Sequence, residues 1–456
     1  MHVRALLILA AIPLIHCVGP PPAVAPERAA ALAGGLDHDV PFRTEQLAID
    51  AESPVPERLL LSEAVQRALT ESAEVQAALA RSRRALAEAG QARLLPNPVL
   101  DVAFRLVEGG ATPRIDVGLT AELAALLTRT RRADAADARL ERAAHEVVAR
   151  AIEVVAELRV DYAEVQALTR RARLLDERLA FFDRLLATAR AKLDVGEGVR
   201  LDVLTLEAQR LELELESEGR RIELELARRR LLHRIGSPGA APAFDVEEWS
   251  SPPPPPDAEE PWIAAALARR PDLLALRAEL RAAEAEAAAA GLSVLDGGGA
   301  GVTAERDGDW SIGPSLSTPL PLLDTGAKRK ESARARWIEA RHVLAAAERG
   351  AVTEVRTAIE ALRGARRRLG RVESELLPIE QQRRDQVEAV YLGGESDVTA
   401  LLLAERDLRQ AQERLVELQL STVTAWARFE QAVGGAAVLR GGPEDETDGL
   451  AEEERR

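Results

Sequence analysis

Residues 129–198, RTRRADAADARLERAAHEVVARAIEVVAELRVDYAEVQALTRRARLLDERLAFFDRLLATARAKLDVGEG, decide the fold. Apolar side chains recur by fours and threes at Leu140, Ala144, Val147, Ala151, Val154 and Leu158, slip once at Asp161, and resume from Val165 through Leu175, Phe182 and Ala189 to Leu193. A period of 3.5 over so many heptads is the seam of a helix supercoiled against partners. Neither Pro nor Gly interrupts the run before Val195-Gly196-Glu197-Gly198, which reads as a turn. At 1.5 Å per residue such a helix is about 100 Å long, far beyond the usual three turns. From Leu201 the chain returns with Leu204, Ala208, Leu211, Leu215, Ile222 and Leu226 on one stripe, closing a long helical hairpin.

Composition agrees. The 456 residues carry a net charge of −15 and only 3% aromatic side chains, and Ala, Leu, Arg and Glu dominate, as in coiled coils. An acidic chain whose arginines alternate with acids on helix faces is not a nucleic-acid binder. Cys17 is the single cysteine, which excludes an intrachain disulfide and a cysteine metal cage. The six histidines are scattered, with His145, His233 and His342 alone on helical stretches, and no glycine pair is followed by Lys-Ser or Lys-Thr. Nothing here assembles a catalytic, metal or phosphate-binding constellation, so the chain is not read as an enzyme and no cofactor is expected.

Residues 1–17 read as an export signal: a polar start at His2 and Arg4, then an apolar core too short to span a bilayer. Leu14-Ile15-His16-Cys17 is similar to a bacterial lipobox, although His16 stands where a small residue is usual. Acylation of Cys17 and plain signal cleavage are the two readings. Residues 18–58, rich in Pro and Ala, are expected to be a linker with a short helix near the end.

A helix from Ser62-Glu63 to about Leu95 should stop at Pro96-Asn97-Pro98. The period then changes. Leu100, Val102, Phe104 and Leu106 alternate with polar residues, as do Ile115, Val117, Leu119, Ala121 and Leu123, predicting a β-hairpin over 99–123 with an apolar and a charged face. Nine to eleven residues is also the span of a tilted membrane strand. The long hairpin over 129–235 follows, then a Pro-rich linker over 237–261. The plan repeats over 262–435: a helix, a second alternating hairpin over 299–318, and helices over 326–434 with a turn at Leu392-Gly393-Gly394-Glu395. A disordered acidic tail is expected over 436–456. Gly394 follows Gly196 by 198 residues, and Glu405 follows Glu207, and Gly434 Gly236, by the same offset. The chain is a duplication whose first repeat covers 59–236.

Four strands cannot close a barrel, and open edges are not tolerated in lipid. Several copies are therefore needed to complete a membrane barrel continued by a helical tube. The motifs Leu61-Ser62-Glu63-Ala64-Val65, Leu94-Leu95-Pro96-Asn97-Pro98, LSTPLPLLDTG over 316–326 and Tyr391-x-x-Gly394, in this order on a duplicated frame, make residues 59–435 similar to the TolC-like outer-membrane factors. These are the exit ducts of bacterial tripartite efflux pumps and type I secretion systems. Leu377-Pro378, Tyr391 and Gly394 resemble most the branch that serves heavy-metal and related pumps of the RND type.

The resemblance implies a mainly α fold with a small β part and long duplicated coiled-coil hairpins. It also implies four transmembrane strands per protomer and a homotrimer with a twelve-stranded barrel in the outer membrane and its helical tunnel in the periplasm. The partners it implies are a periplasmic adaptor protein, an inner-membrane pump and outer-membrane lipid. The tips Gly196, Glu197, Gly198 and Gly393, Gly394, Glu395 would meet the adaptor. Asp202 and Tyr391 match polar residues that hold the family's periplasmic gate shut. Asp202 reads equally well as a helix N-terminal acid favoured by the macrodipole. Ser396 replaces the family's basic residue after the second tip glycine. The acidic ring of some members falls on the uncharged Ala400 and Leu403, leaving Glu395 and Asp397 as substitutes. The competing reading is a lipid-anchored periplasmic coiled-coil scaffold without a pore. It leaves the two amphipathic hairpins unexplained.

Overall fold

A computed structural model describes residues 25–44, 55–105, 114–307, 309–393 and 395–436. Cys17 with the segment expected as an export signal, Leu106 of the first hairpin, Gly394, and the acidic tail beyond 436 lie outside the described residues. In chain order the elements are α1 (Pro26–Gly34), β1 (Arg58–Leu59), α2 (Leu61–Glu71), α3 (Ala73–Arg93), β2 (Val99–Arg105), β3 (Arg114–Glu122), α4 (Leu123–Asp194), α5 (Arg200–Arg234) and β4 (Asp245–Val246). They continue with α6 (Glu260–Arg269), α7 (Pro271–Ala289), β5 (Gly299–Asp307), β6 (Asp309–Ser317), α8 (Ala327–Arg371), α9 (Leu377–Leu392) and α10 (Val398–Val433). Among the described residues the chain is mainly helical with two small sheets, of two and four strands, and α4 alone runs for 72 residues.

The helix opening each repeat is broken once, and both breaks follow from sequence. At Ser72 the backbone is extended while its hydroxyl accepts from the Val75 N–H at 3.3 Å, capping α3. At Arg270, 198 positions later, the following Pro271 forces the same extended backbone. In each case the break residue's N–H still closes the preceding turn, on Ala68 and Ala266 at 3.0 Å. Gly236 and Gly434, also 198 apart, both end helices at positive φ (76° and 105°). A Cβ at Gly236 would come within 2.3 Å of Glu71 Cβ, so a side chain is excluded there by space as well as by conformation.

Between α8 and α9 the helical path passes through a π turn, Val372–Leu376. Pro378 is the cause: its ring would strike the carbonyl of Ser374, and it has no N–H to offer. The Ser374 hydroxyl turns back to donate to Gly370 O at 2.7 Å.

The described residues divide into two compact units. The first comprises Arg81–Ala144 and Ala275–Leu344 and contains the four-stranded sheet β2-β3-β5-β6, antiparallel throughout. The second comprises Pro26–Ala80, His145–Leu274 and the chain from Ala345. Its largest core joins Leu59, Leu69, Val155, Leu158, Leu231, Leu232 and Phe244. Tyr162 is its buried polar fastener: the hydroxyl donates to Leu59 O at 2.8 Å and accepts from the Glu247 N–H at 2.9 Å. Burial pushes this phenol up to about 12.

Both segments expected as linkers are partly built into this unit. Within 18–58, α1 lays Ala30, Ala31 and Ala33 against the core, because a helix of alanines can approach α2 closely. Within 237–261, β4 pairs in parallel with β1, and Phe244 is buried beneath Arg228. Proline-run carbonyls, which have no neighbouring N–H to bond, are taken by arginines of α8. Arg366 donates to Pro252 O, and Arg363 donates to Pro256 O and Asp257 O at 2.9 and 2.7 Å. The long helix expected from residue 129 begins instead at Leu123, where β3 passes into α4 with no loop and the Leu123 N–H bonds Gly298 O.

Candidate functional site

Two places carry functional chemistry. The first is the sheet. Register puts Phe104, Ile115, Arg306 and Trp310 in one row across the four strands, then Val102, Val117, Ala304 and Ile312, then Leu100, Leu119, Val302 and Pro314. Ala121, Ala300 and Leu316 complete a fourth row. Side chains alternate between faces, so all of these share one side, and Arg306 alone among them is charged. The other side carries Asp101, Arg105, Arg114, Asp116, Thr120, Glu122, Thr303, Glu305 and Asp309 among Gly and Ser, with Val99 and Ala103 its apolar members. On that polar side Arg105 pairs with Asp116 at 3.2 Å. The apolar side is uncovered: Leu100, Phe104, Ile312 and Leu316 are all exposed, and the outer edges of β2 and β6 pair with no strand among the described residues. An oily face and two open edges are costly in water.

The second place is the pair of helix tips in the other unit. After α4, Gly196 sits at φ 81° and the Glu197 N–H returns to Lys192 O at 2.9 Å, a glycine C-cap. Gly198 is fixed by space, since a Cβ there would lie 2.7 Å from Leu193 N. Asp202 is in the first turn of α5. At the second tip the Gly393 N–H bonds Ala389 O at 3.0 Å and the Glu395 N–H bonds Val390 O at 3.1 Å. Asp397 is the N-cap of α10, its carboxylate accepting from Ala400 N–H at 3.1 Å, while the Ser396 hydroxyl donates to Asp397 O at 3.4 Å.

Of the residues singled out from sequence, Asp202 and Tyr391 come together. Tyr391 is buried with Phe182, Val203, Leu206 and Leu401. That burial, and then the Asp202 charge, raise its phenol above the ordinary tyrosine range. Sequence reasoning missed Lys192. Its ammonium stands 5.2 Å from the centre of the Tyr391 ring and donates to Tyr391 O and Leu392 O, both at 3.4 Å. A cation over an aromatic ring at the C-terminal end of α9 is favoured by both the quadrupole and the macrodipole. The available signal was its identity: it is the only lysine before position 328 in a chain that otherwise uses arginine. A charged layer farther from the tips was also missed. Glu405 is buried, with Arg384 at 3.4 Å, and its carboxyl is raised by burial against the opposing pull of Arg384 and Arg178. Neighbouring Arg409 bridges to Glu216 at 2.7 Å.

Among the described residues no group of three or more His, Cys, Asp or Glu is placed to hold a metal ion. No helix there is long and apolar enough to cross a membrane.

Residues 262–435 match the family model described as outer membrane efflux protein. No curated protein sequence matches the chain. Among solved structures, the outer membrane protein VceC of Vibrio cholerae aligns with a TM-score of 0.67 at 20% identity, covering 82% of this chain and 96% of that one. The outer-membrane channel OprN aligns at 0.66 and 19% identity, covering 88% and 99%. The MtrE outer membrane channel of Neisseria gonorrhoeae aligns at 0.68 and 18% identity, covering 87% and 98%. The resemblance read from the motifs therefore holds: the second repeat matches the efflux family, and the fold of the chain is that of these outer-membrane channels.

Proposed function

We propose that this chain, with its outer-membrane efflux fold and a second repeat that matches the outer membrane efflux family, is the exit duct of a tripartite efflux or type I secretion system. Three copies close their four-stranded sheets into a twelve-stranded barrel in the outer membrane. Their helices form a tunnel in the periplasm, through which substrate passes passively. The observation that carries this reading is the sheet, apolar on one side, polar on the other and open at both edges. Copies placed edge to edge satisfy the free backbone groups, turn the apolar side to lipid and leave the polar side around water. A scaffold without a pore has no use for such a sheet.

On this reading the duct has no catalytic step, and energy comes from an inner-membrane pump through a periplasmic adaptor that docks at Gly196, Glu197, Gly198, Gly393, Gly394 and Glu395. Asp202 and Tyr391 act at the gate. Asp397 caps α10 and Ser396 brings no charge, so the cation assigned to the closed state is Lys192, which stands over the Tyr391 ring. Cys17 is proposed as an acylated anchor. The RND-type heavy-metal branch is proposed on Leu377-Pro378 and Tyr391. The test is direct: purified outer membranes should contain a heat-modifiable trimer that conducts ions in a planar bilayer. A folded monomer in the soluble periplasmic fraction, with no conductance, refutes the channel.

A further inference from the structure

The apolar face of the sheet is too short for its task, and the chain makes up the deficit just beyond one end. Four rows spaced two residues apart span ~20 Å along the strands, or ~16 Å across a bilayer at a tilt of ~40°, whereas the apolar band of an outer-membrane barrel is ~25 Å. The row at the hairpin end already holds Arg306, Trp310 and Phe104, interface-type residues that mark one boundary. At the opposite end, where Glu122, Gly299 and Ser317 align, no aromatic residue lies in the strands.

Just past that end, loop 318–326 carries three leucines in the open: Leu320 and Leu322 are 74% and 81% exposed, and Leu323 is fully exposed. The loop is built, not slack. Asp324 accepts from the Gly326 N–H at 2.8 Å and pairs with Arg329, while Arg329 also donates to Ser293 Oγ and Ser293 O, both at 3.2 Å. A loop pinned by its polar residues keeps its leucines exposed. The same order recurs where β3 enters α4: exposed Leu126 and Leu127, then exposed Arg129 and Arg131. After the loop come Lys328 and Lys330, both exposed. Apolar side chains followed within two turns by cations match the acyl–headgroup boundary of a phospholipid leaflet, where leucine meets chains and Lys or Arg meets phosphate.

We propose that loop 318–326, with Leu126 and Leu127, is a leucine collar that seats the barrel in the periplasmic leaflet and replaces the missing aromatic girdle there. Its occupant is phospholipid, argued from continuity with the apolar face above it and from the cations below it. The inference rests on the barrel reading.

The test is a nitroxide on L323C in the full-length trimer, reconstituted in phosphatidylethanolamine–phosphatidylglycerol vesicles. I312C reports the bilayer interior, E223C reports water, and the unsubstituted chain gives the Cys17 background. At position 323 the expected result is relaxation by oxygen with loss of most relaxation by a water-soluble nickel chelate, between the two references. Nickel relaxation equal to that at 223 places the collar in water and overturns the proposal. Exclusion of both relaxants places it under a neighbouring copy and overturns it equally. If the nitroxide at 312 is itself open to nickel, the barrel reading falls, and the collar with it.

Discussion

Ile312→Arg separates a membrane barrel from a water-soluble sheet. Ile312 lies in the second row of the apolar face, in register with Ala304, and is 75% exposed in the protomer. If that face meets water, an exposed substitution changes stability by about 0.5 kcal/mol or less, and the new charge improves solubility. If it meets lipid near the bilayer centre, an arginine costs about 2–4 kcal/mol per copy. Three copies then lose about 6–12 kcal/mol, at least four decades in the assembly equilibrium. The control is Thr303→Arg, one position away from Val302 on the polar side and opposite Gly118 and Gly313, where there is room. The assay is the yield of heat-modifiable trimer in the outer-membrane fraction for the two variants against wild type. Trimer should vanish for Ile312→Arg and persist for Thr303→Arg. Equal yields for both variants would refute the assignment of the faces.

Three other outcomes follow from the second unit. Asp202→Ala and Tyr391→Phe should each raise the resting conductance of the trimer in planar bilayers; unchanged conductance in both removes the gate assignment and leaves the fold intact. Tyr162→Phe removes a hydroxyl that serves Leu59 O and the Glu247 N–H at once, and should cost about 1–3 kcal/mol by denaturant unfolding, because both backbone groups lose a partner. Glu405 has its carboxyl raised by burial, so the folded chain holds that proton more tightly than the unfolded chain does. Its contribution favours folding below the ordinary glutamate range and is lost as pH rises through the raised value. Glu405→Gln should therefore gain on wild type in melting temperature between pH 4 and 7, and a gap that does not widen with pH would contradict the assignment.

Periodicity made the helices and the sheet legible because each presents a continuous apolar stripe or face, and such faces repeat at 3.5 or 2 residues. The duplication was legible for a related reason: turn glycines are fixed by backbone conformation, so Gly236 and Gly434 keep their spacing while other residues drift. Breaks at Ser72 and Arg270 were harder to read, since each interrupts a helix for one residue without changing its apolar pattern. The short helix expected within 18–58 lies at Pro26–Gly34 rather than near the end of that segment, a position hard to read because alanine carries little hydrophobic signal. It packs by being small, and only the surface it packs against reveals that.

The tips show the limit most clearly. Asp397 and Asp202 are both acids near the start of a helix after a glycine turn, and the family resemblance sets both at the gate. Geometry separates them. Asp397 spends its carboxylate on the Ala400 N–H, whereas the Asp202 side chain makes no hydrogen bond or ion pair among the described residues and lends its charge to the surroundings of Tyr391. The cation that completes this cluster does not follow the second tip glycine at all. Lys192 comes from the other hairpin, almost 200 residues earlier in the chain, and lies across the end of α9. A search for a basic residue in the same turn as Ser396 was bound to miss it, because Lys192 precedes the first tip, where the 198-residue offset sets it level with Val390, one residue before Tyr391.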